Sequence, residues 1–431
     1  MVRRPMDVAP GRVSLPDVGL GRGWEPPVLM ALTVTLFAFG LVTLYSASTF
    51  LARSEEVPGY YWVLRQASGG VAGLVALAVC ARLPCRLWQR LAWPLVIGSF
   101  LLLVVVVFPG TEGIAPRING GRRWLIVGGA RIQPSEFAKL AVVVWTAMLA
   151  VRKQDQFGRL SKGLGPFLVV WGLLLLPVVL QPDFTMAMLI GLLGALTLFA
   201  AGARIGHFLF LGALSSPFVA HQLFAVEFRM DRLRAWLDPT ADPRGAAWQL
   251  YQSLVAIGDG GITGRGFGEG QQKFGFLPDS HNDFIFAMIG EEWGLLGVTF
   301  VLLMYAAIVL IGFRVARRAP TLFGQLLAVG CTNLIAIQAV LHISVSLGIV
   351  PTTGLALPLI SYGRSNLLVT FMAIGILMSI ARETDLDWRP DTLARTRRSD
   401  LARDLTPGGR TAGTGAARVG IGRPSPAGVR R

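Results

Sequence analysis

Charge is scarce in this sequence. Of its 431 residues only 15% are Asp, Glu, Lys or Arg, against the roughly 25% of an ordinary soluble domain. Cysteine is nearly missing: Cys80, Cys85 and Cys331 are the whole complement. An odd number without motif spacing supports neither a disulfide framework nor a thiolate metal site, and small apolar packing is the simpler use. The four histidines, at 207, 221, 281 and 342, lack metal-ligand spacing, and no Ser-His-Asp or Cys-His arrangement can be read. Period-two alternation of apolar and polar residues is also lacking, which argues against a membrane β-barrel.

Apolar residues are what the chain has in abundance, 53% of the total. Continuous runs lie at about 27–50, 67–81, 92–108, 137–151, 164–180, 184–201, 207–226, 284–313, 322–350 and 359–380. Hydrocarbon of about 30 Å needs roughly 20 residues of helix. The expectation is therefore an all-α polytopic membrane protein with about ten transmembrane helices. Ser46-Ala47-Ser48 looks like a cleavage site, but the preceding run exceeds the roughly 7–15 apolar residues of a signal peptide; it reads as an uncleaved first span.

The net charge of +15 is distributed as a topology determinant rather than as one basic domain, so nucleic acid is not an expected partner. Lys and Arg gather in the N-terminal tail, around residues 82–90, 152–162, 204 and 314–318, and in the C-terminal tail. That set is expected to be cytoplasmic, with both termini inside. Residues 1–23 form an N-terminal tail, 24–382 the transmembrane domain and 383–431 a basic C-terminal tail whose composition predicts disorder. A large extracytoplasmic loop, about 227–282, separates the seventh and eighth helices.

Two outer loops break the charge rule. The first carries Arg117, Arg122, Arg123 and Arg131; the second carries Arg229, Arg232, Arg234, Arg244, Arg265 and Lys273. Salt bridges to Asp231, Asp238 or Asp242 would explain them, and so would an anionic ligand. The second loop also contains seven glycines between Gly258 and Gly270. They serve either turn flexibility or close backbone approach to phosphate.

At the end of that loop stand Asp279, His281, Asn282 and Asp283, just before an apolar run containing Glu291 and Glu292. Acids beside or inside membrane helices are costly and functional by default. Asp283 has two readings: an N-cap, alone or with Asn282, or a general base whose burial brings its pKa toward neutrality. On a helix beginning at Asp283, Glu291 would lie about 12 Å further along the axis, beyond the roughly 5–9.5 Å of paired glycosidase carboxylates. A lone base fits transfer from a donor with a good leaving group such as pyrophosphate, which arginines would stabilise. Glu136 and Lys139 share a helix face three residues apart and read as an intramembrane ion pair or as catalytic groups. Residues 351–363 interrupt the last apolar pattern, which at membrane depth requires burial in protein or a cavity.

These residues resemble the SEDS family of FtsW, RodA and SpoVE, the glycosyltransferases of bacterial peptidoglycan synthesis. The resemblance runs from Trp24 to Arg382. It is carried by Asn119-Gly120-Gly121-Arg122-Arg123-Trp124, Gln133-Pro134-Ser135-Glu136 with Lys139, and Gln181-Pro182-Asp183. Further on come Trp236-Leu237-Asp238-Pro239, Gln252-Ser253-Leu254, Leu277-Pro278 with His281 and Asp283-Phe284-Ile285-Phe286, and 351–363. The pattern lies closer to FtsW than to RodA. It departs at Asn282, where Thr is usual, at Phe184-Thr185, and at Arg364 and Asn366, where Gly and Ser are expected.

The resemblance implies polymerisation of lipid II into glycan strands at the division septum of the inner membrane, with release of undecaprenyl pyrophosphate. Asp283 would be the base. Arg122, Arg123, Lys273, His281 and Ser361 would bind substrate, and Glu136, Lys139, Glu291 and Glu292 would be structural. A divalent cation (Mg or Mn), a class B penicillin-binding protein transpeptidase and other divisome membrane proteins are the implied cofactor and partners. A lipid II flippase, a RodA-type elongation polymerase and a non-catalytic scaffold for the transpeptidase are the competing expectations.

Overall fold

The computed structural model describes residues 23–387, apart from Asn119, Arg159 and Pro243. Residues 383–387, expected to begin the disordered tail, continue the last helix instead; the rest of that tail and residues 1–22 lie outside the described residues.

Twelve helices follow one another among the described residues. The first three are α1 (Glu25–Ser54), α2 (Tyr61–Cys80) and α3 (Cys85–Val107). A short antiparallel hairpin follows, β1 (Leu125–Val127) with β2 (Ala130–Ile132), paired with Leu125 opposite Ile132. It is an addition to the all-α expectation; strands of three residues are too short to show a period. Then come α4 (Pro134–Lys153), α5 (Gly165–Leu180), α6 (Phe184–Ala200) and α7 (Ile205–Phe224). The large loop folds as α8 (Glu227–Leu237) and α9 (Trp248–Gly260), and the chain finishes with α10 (Ile285–Arg318), α11 (Leu322–Ser346) and α12 (Arg364–Asp387).

Eight helices are long and apolar enough to cross a membrane. Helix α6, at 17 residues, falls just short, and α7 passes only together with α8, to which it is bent by 93°. Counting both gives the ten passes expected. Helix starts follow local chemistry: α4 opens on Pro134 with Glu136 in its first turn and closes on Arg152 and Lys153, matching the helix dipole at both ends. Asp183 caps α6 through Met186 N–H (3.3 Å), and Thr321 caps α11 through Gly324 N–H (3.1 Å).

Helices α4, α11 and α12 form the centre: 83% of the apolar window of α4 is buried, against 28% for α2 and α3. The outer helices display Leu64, Val71, Val169 and Leu209 at their surfaces, as a lipid-facing shell requires.

The glycine-rich loop has a structural use that the sequence left open. Helix α10 breaks at Gly294 (φ 62°, ψ −158°). In an unbroken helix Leu295 and Leu296 would donate to Glu291 and Glu292. Instead they donate to Gly261 O (2.9 Å) and Ile262 O (3.2 Å), while Arg265 and Gly266 N–H donate to Glu291 O (2.9 Å) and Glu292 O (3.2 Å). The loop is thus spliced into the backbone ladder of α10, leaving these groups satisfied at membrane depth. Only glycine allows this approach: a Cβ on Gly260 would lie 1.8 Å from Gly290 O, and one on Gly264 2.2 Å from Glu292 O. The run therefore meets protein backbone, and the phosphate-cradle reading of residues 265 and 266 is corrected by these bonds.

Gly294→Ala is expected to lose about 1–3 kcal/mol through its glycine-only backbone angles alone, and more from the 2.3 Å approach of its Cβ to Gly264 N. Gly258→Ala, in open space, is expected to be neutral or stabilising. Thermal unfolding of the two variants in detergent compares them.

Candidate active site

Asp283 lies two residues before the start of α10 and caps nothing. Phe284 occupies the N-cap position without a side-chain cap, which corrects the capping reading and the helical arithmetic that placed α10 from Asp283 onward. Backbone bonds from Asn282 and Asp283 N–H to Asp279 O, both 3.0 Å, form the turn instead. Asp279 takes φ +51° to close it. Asn282 caps nothing either; its carbonyl accepts from Ser361 Oγ at 2.7 Å.

The interrupted stretch between α11 and α12 is the wall against which this turn rests. Ser361 Oγ also accepts from Leu357 N–H (2.8 Å), and Tyr362 N–H donates to His281 O (3.2 Å). Side chains satisfy the remaining irregular backbone: His342 Nδ1 meets Leu355 O (2.6 Å), Gln338 Nε2 donates to Ala356 O (3.0 Å), and Gln66 bridges Ser361 O and Gly363 N–H. Tyr305 OH donates to Pro358 O. Ser361, expected to bind substrate, has its hydroxyl committed to this scaffold. Gly354 (φ +71°) passes the carboxylate so closely that a Cβ there would lie 3.5 Å from Asp283 Oδ2.

The Asp283 residue keeps a partial opening to solvent, yet its Oδ1 is enclosed and has no hydrogen-bond partner among the described protein atoms. Burial, reinforced by the Asp279 charge, pushes its pKa up to about 7, with Arg232 and Arg123 pulling the other way. Burial lowers the pKa of His281 against the pull of Asp279, which holds the imidazole neutral near pH 7. The His281 ring packs against Trp62 (5.7 Å) and Tyr362 (6.1 Å), which also meet each other edge-on at 5.0 Å.

Arginines oppose the turn. Arg123 donates to Pro182 O (2.9 Å) and Gln181 O (3.4 Å) and stands 3.9 Å from Asp183, whose Oδ2 also accepts from Gln133 Nε2 at 3.5 Å. Arg232 donates to Thr352 O at 3.2 Å, and Trp236 Nε1 on the same helix to Gly348 O at 2.9 Å. Arg229 lies over the Phe184 ring. Salt bridging accounts for Arg234, with Asp231 at 3.3 Å, and for Arg265, with Asp259 at 2.8 Å. Arg123 and Arg232 are the outer arginines whose charge reaches Asp283, and Arg229 is near enough to Arg123 to feel its charge. Arg232, Arg229 and Asp183 were not among the expected site residues; the one signal for the two arginines was their sign, opposed to the topology rule.

Other expected residues fall elsewhere. Arg122 pairs with Glu112 and donates to Phe108 O (3.3 Å). Lys273 is buried and donates to Glu292 (3.0 Å), to Ser46 Oγ (3.0 Å) and to Gly268 O. It lines a cavity of about 330 Å³ together with Trp62, Asp279 and His281. Glu291 accepts from Gln271 N–H (2.6 Å) and Gln272 N–H (3.3 Å), so both glutamates pin the outer loop. Glu136 and Lys139 form an ion pair of 2.7 Å, and Lys139 also donates to Gln338 (2.8 Å), which links the pair to Ala356. Arg364 fits because α2 offers Gly69, where a Cβ would lie 2.8 Å from its Cγ. Asn366 donates to Ala356 O at 3.4 Å.

Among the described residues no cluster of three or more His, Cys, Asp or Glu could hold a metal ion. The turn supplies two carboxylates, Asp279 and Asp283. That donor set fits a divalent cation only where substrate phosphates complete its shell.

The profile of a cell cycle protein family, that of FtsW, RodA and SpoVE, matches residues 27–386. A probable peptidoglycan glycosyltransferase FtsW from Trichlorobacter lovleyi is 40% identical over 354 residues, covering 82% of this chain and 92% of that one. Stage V sporulation protein E of Bacillus subtilis is 36% identical over 356 residues, 82% and 96% of the two chains. Among solved structures, a chain of a peptidoglycan synthase complex, from work on the structural coordination of polymerization and crosslinking, superposes with a TM-score of 0.68. It is 26% identical and covers 85% of this chain and 99% of its own. The crystal structure of Thermus thermophilus RodA gives a TM-score of 0.61 at 26% identity, over 85% and 98%.

Proposed function

The chain belongs to the FtsW, RodA and SpoVE family of cell cycle proteins, and we infer that it is a peptidoglycan glycosyltransferase of the bacterial inner membrane, polymerising lipid II into glycan strands. The observation that carries the mechanism is Asp283: a carboxylate that caps nothing, has an enclosed oxygen without a partner, and is brought by burial to a pKa of about 7. A general base works best with a pKa near the operating pH.

In this reading Asp283 removes the proton from the 4-hydroxyl of the acceptor N-acetylglucosamine. The oxygen attacks the anomeric carbon of the donor, and the bond to undecaprenyl pyrophosphate breaks. Neutral His281 places no positive charge beside the base. Arg123 and Arg232 face the developing negative charge of the leaving group. Both are held by backbone carbonyls, so they are pre-oriented before charge develops. A divalent cation, were one bound, would be held by Asp279 and would supply positive charge to the leaving pyrophosphate. The positive-inside bias supports both termini in the cytoplasm. The FtsW relatives support a place at the division septum, and the synthase-complex neighbour supports a transpeptidase partner.

Purified full-length protein with labelled lipid II tests the reading: glycan polymer is expected. Transbilayer movement of lipid II without polymer would instead assign a flippase. The two adjacent arginines separate as well. Arg123→Gln is expected to lower turnover by roughly 10²–10³, the usual loss of one preorganised donor. Arg122→Gln, which breaks a pair with Glu112, is expected to change it less than threefold, since Arg122, unlike Arg123, is not among the charges that act on Asp283. Equal losses in the two variants would return Arg122 to the site.

A further inference from the structure

A second cavity, of about 320 Å³, lies at the opposite end of α3 and α4 from the hairpin and is lined by Arg86, Gln89, Arg90 and Arg152. No carboxylate lines it. Glu383, the acid nearest the start of α3, is occupied as acceptor for Cys85 N–H at 2.7 Å. Three guanidinium groups around one concavity without a counter-charge form a site for an anion, and their planar donor forks suit phosphate oxygens.

The face of α3 says which kind of phosphate. Arg86 and Arg90 are followed at helical spacing by Trp93, Ile97 and Leu101, all exposed. Steps of four, three, four and four residues keep these five on one stripe. The stripe runs from a cationic end, through an indole at the depth where amphipathic rings settle, to bare aliphatic surface. Trp93 is held there by an edge contact with Trp145, ring centroids 5.5 Å apart. A soluble anion would use only the first part of this surface; a phospholipid uses all of it.

We propose that the Arg86, Arg90 and Arg152 cavity is a binding site for the phosphate headgroup of an anionic phospholipid, with its acyl chains along Trp93, Ile97 and Leu101. Basic pockets between membrane helices recognise such headgroups. The site rests on the chain's being a multi-pass membrane protein and not on the role of Asp283, from which it is separated by the length of α3 and α4, about 30 Å.

Native mass spectrometry of the full-length protein, titrated with cardiolipin or phosphatidylcholine, tests it. The wild type is expected to retain cardiolipin at least tenfold more tightly than phosphatidylcholine. Removing one surface arginine costs about fivefold in lipid binding, so Arg86→Gln/Arg90→Gln/Arg152→Gln should lose on the order of 100-fold. Arg82→Gln, exposed near this cavity but not lining it, should keep the preference. All these side chains are solvent-exposed, so folding is not at stake, and polymerisation in phosphatidylcholine nanodiscs should match the wild type. A loss in Arg82→Gln equal to that in Arg86→Gln alone, about fivefold, or no preference in the wild type, would reduce the site to general surface charge and overturn the proposal. Displacement of cardiolipin by millimolar inorganic pyrophosphate would assign a soluble anion instead and overturn the lipid.

Discussion

Asp283→Asn is expected to abolish glycan polymerisation, lowering turnover by roughly 10²–10⁴ as for the loss of a general base, while leaving the protein as stable as the wild type or more so. Activity and stability part because of what the carboxylate does in the fold. Its Oδ1 has no hydrogen-bond partner and it makes no cap to its helix, so no structural bond is lost. The folded-state pKa, about 7, is raised above that of the unfolded chain. The folded protein therefore binds this proton more tightly. The associated stability is fully present below about pH 4 and is lost as pH rises through 7. Asparagine removes that loss, so the stability advantage of the variant should be near zero at pH 4 and grow toward pH 8. Thermal unfolding across that range, beside polymerisation of labelled lipid II, reads both effects. A variant that is inactive only because it unfolds would remove the support for a base.

Lys139→Met is expected to destabilise the protein by about 3–5 kcal/mol, the cost of leaving one partner of a buried ion pair charged and alone. Lys139 is fully enclosed and Glu136 nearly so, so water cannot replace the lost partner. Gln338, which accepts from Lys139 and donates to Ala356, would lose one side of its bridge to the active-site wall. Glu136→Gln/Lys139→Met should recover most of the loss, since it removes the uncompensated charge. A double-mutant cycle by unfolding in detergent gives the coupling. Additive single and double losses would show that the pair contributes nothing as a pair.

Legibility in the sequence followed the range of the interactions concerned. Helices read well because burial in lipid is written into long continuous runs, and α6 and α7 departed only in length and bend. The Glu136–Lys139 pair was legible because its spacing is local. Asp283 was legible as a costly acid at a membrane boundary, but its freedom from capping was not. The clamp from Ser361, which holds the turn in place, comes from about 80 positions away. The glycine run was visible, yet its purpose was not: the exchange of backbone bonds with α10 needs two segments in register. Lys273 looked like a ligand for substrate because its sign opposes the charge rule outside, and Ser361 because of the family resemblance; sequence alone cannot say that both meet protein.

The pH dependence of lipid II polymerisation by the wild type and by Arg232→Gln tests the role of Asp283 most directly. For the wild type, kcat/KM should rise tenfold per pH unit at low pH and level off near pH 7, the region to which burial brings Asp283. Arg232 lowers that pKa by its charge, so Arg232→Gln should move the limb to higher pH as well as reduce the plateau. A wild-type profile flat from pH 5 to 9, or a limb that Arg232→Gln leaves in place, would contradict Asp283 as the base.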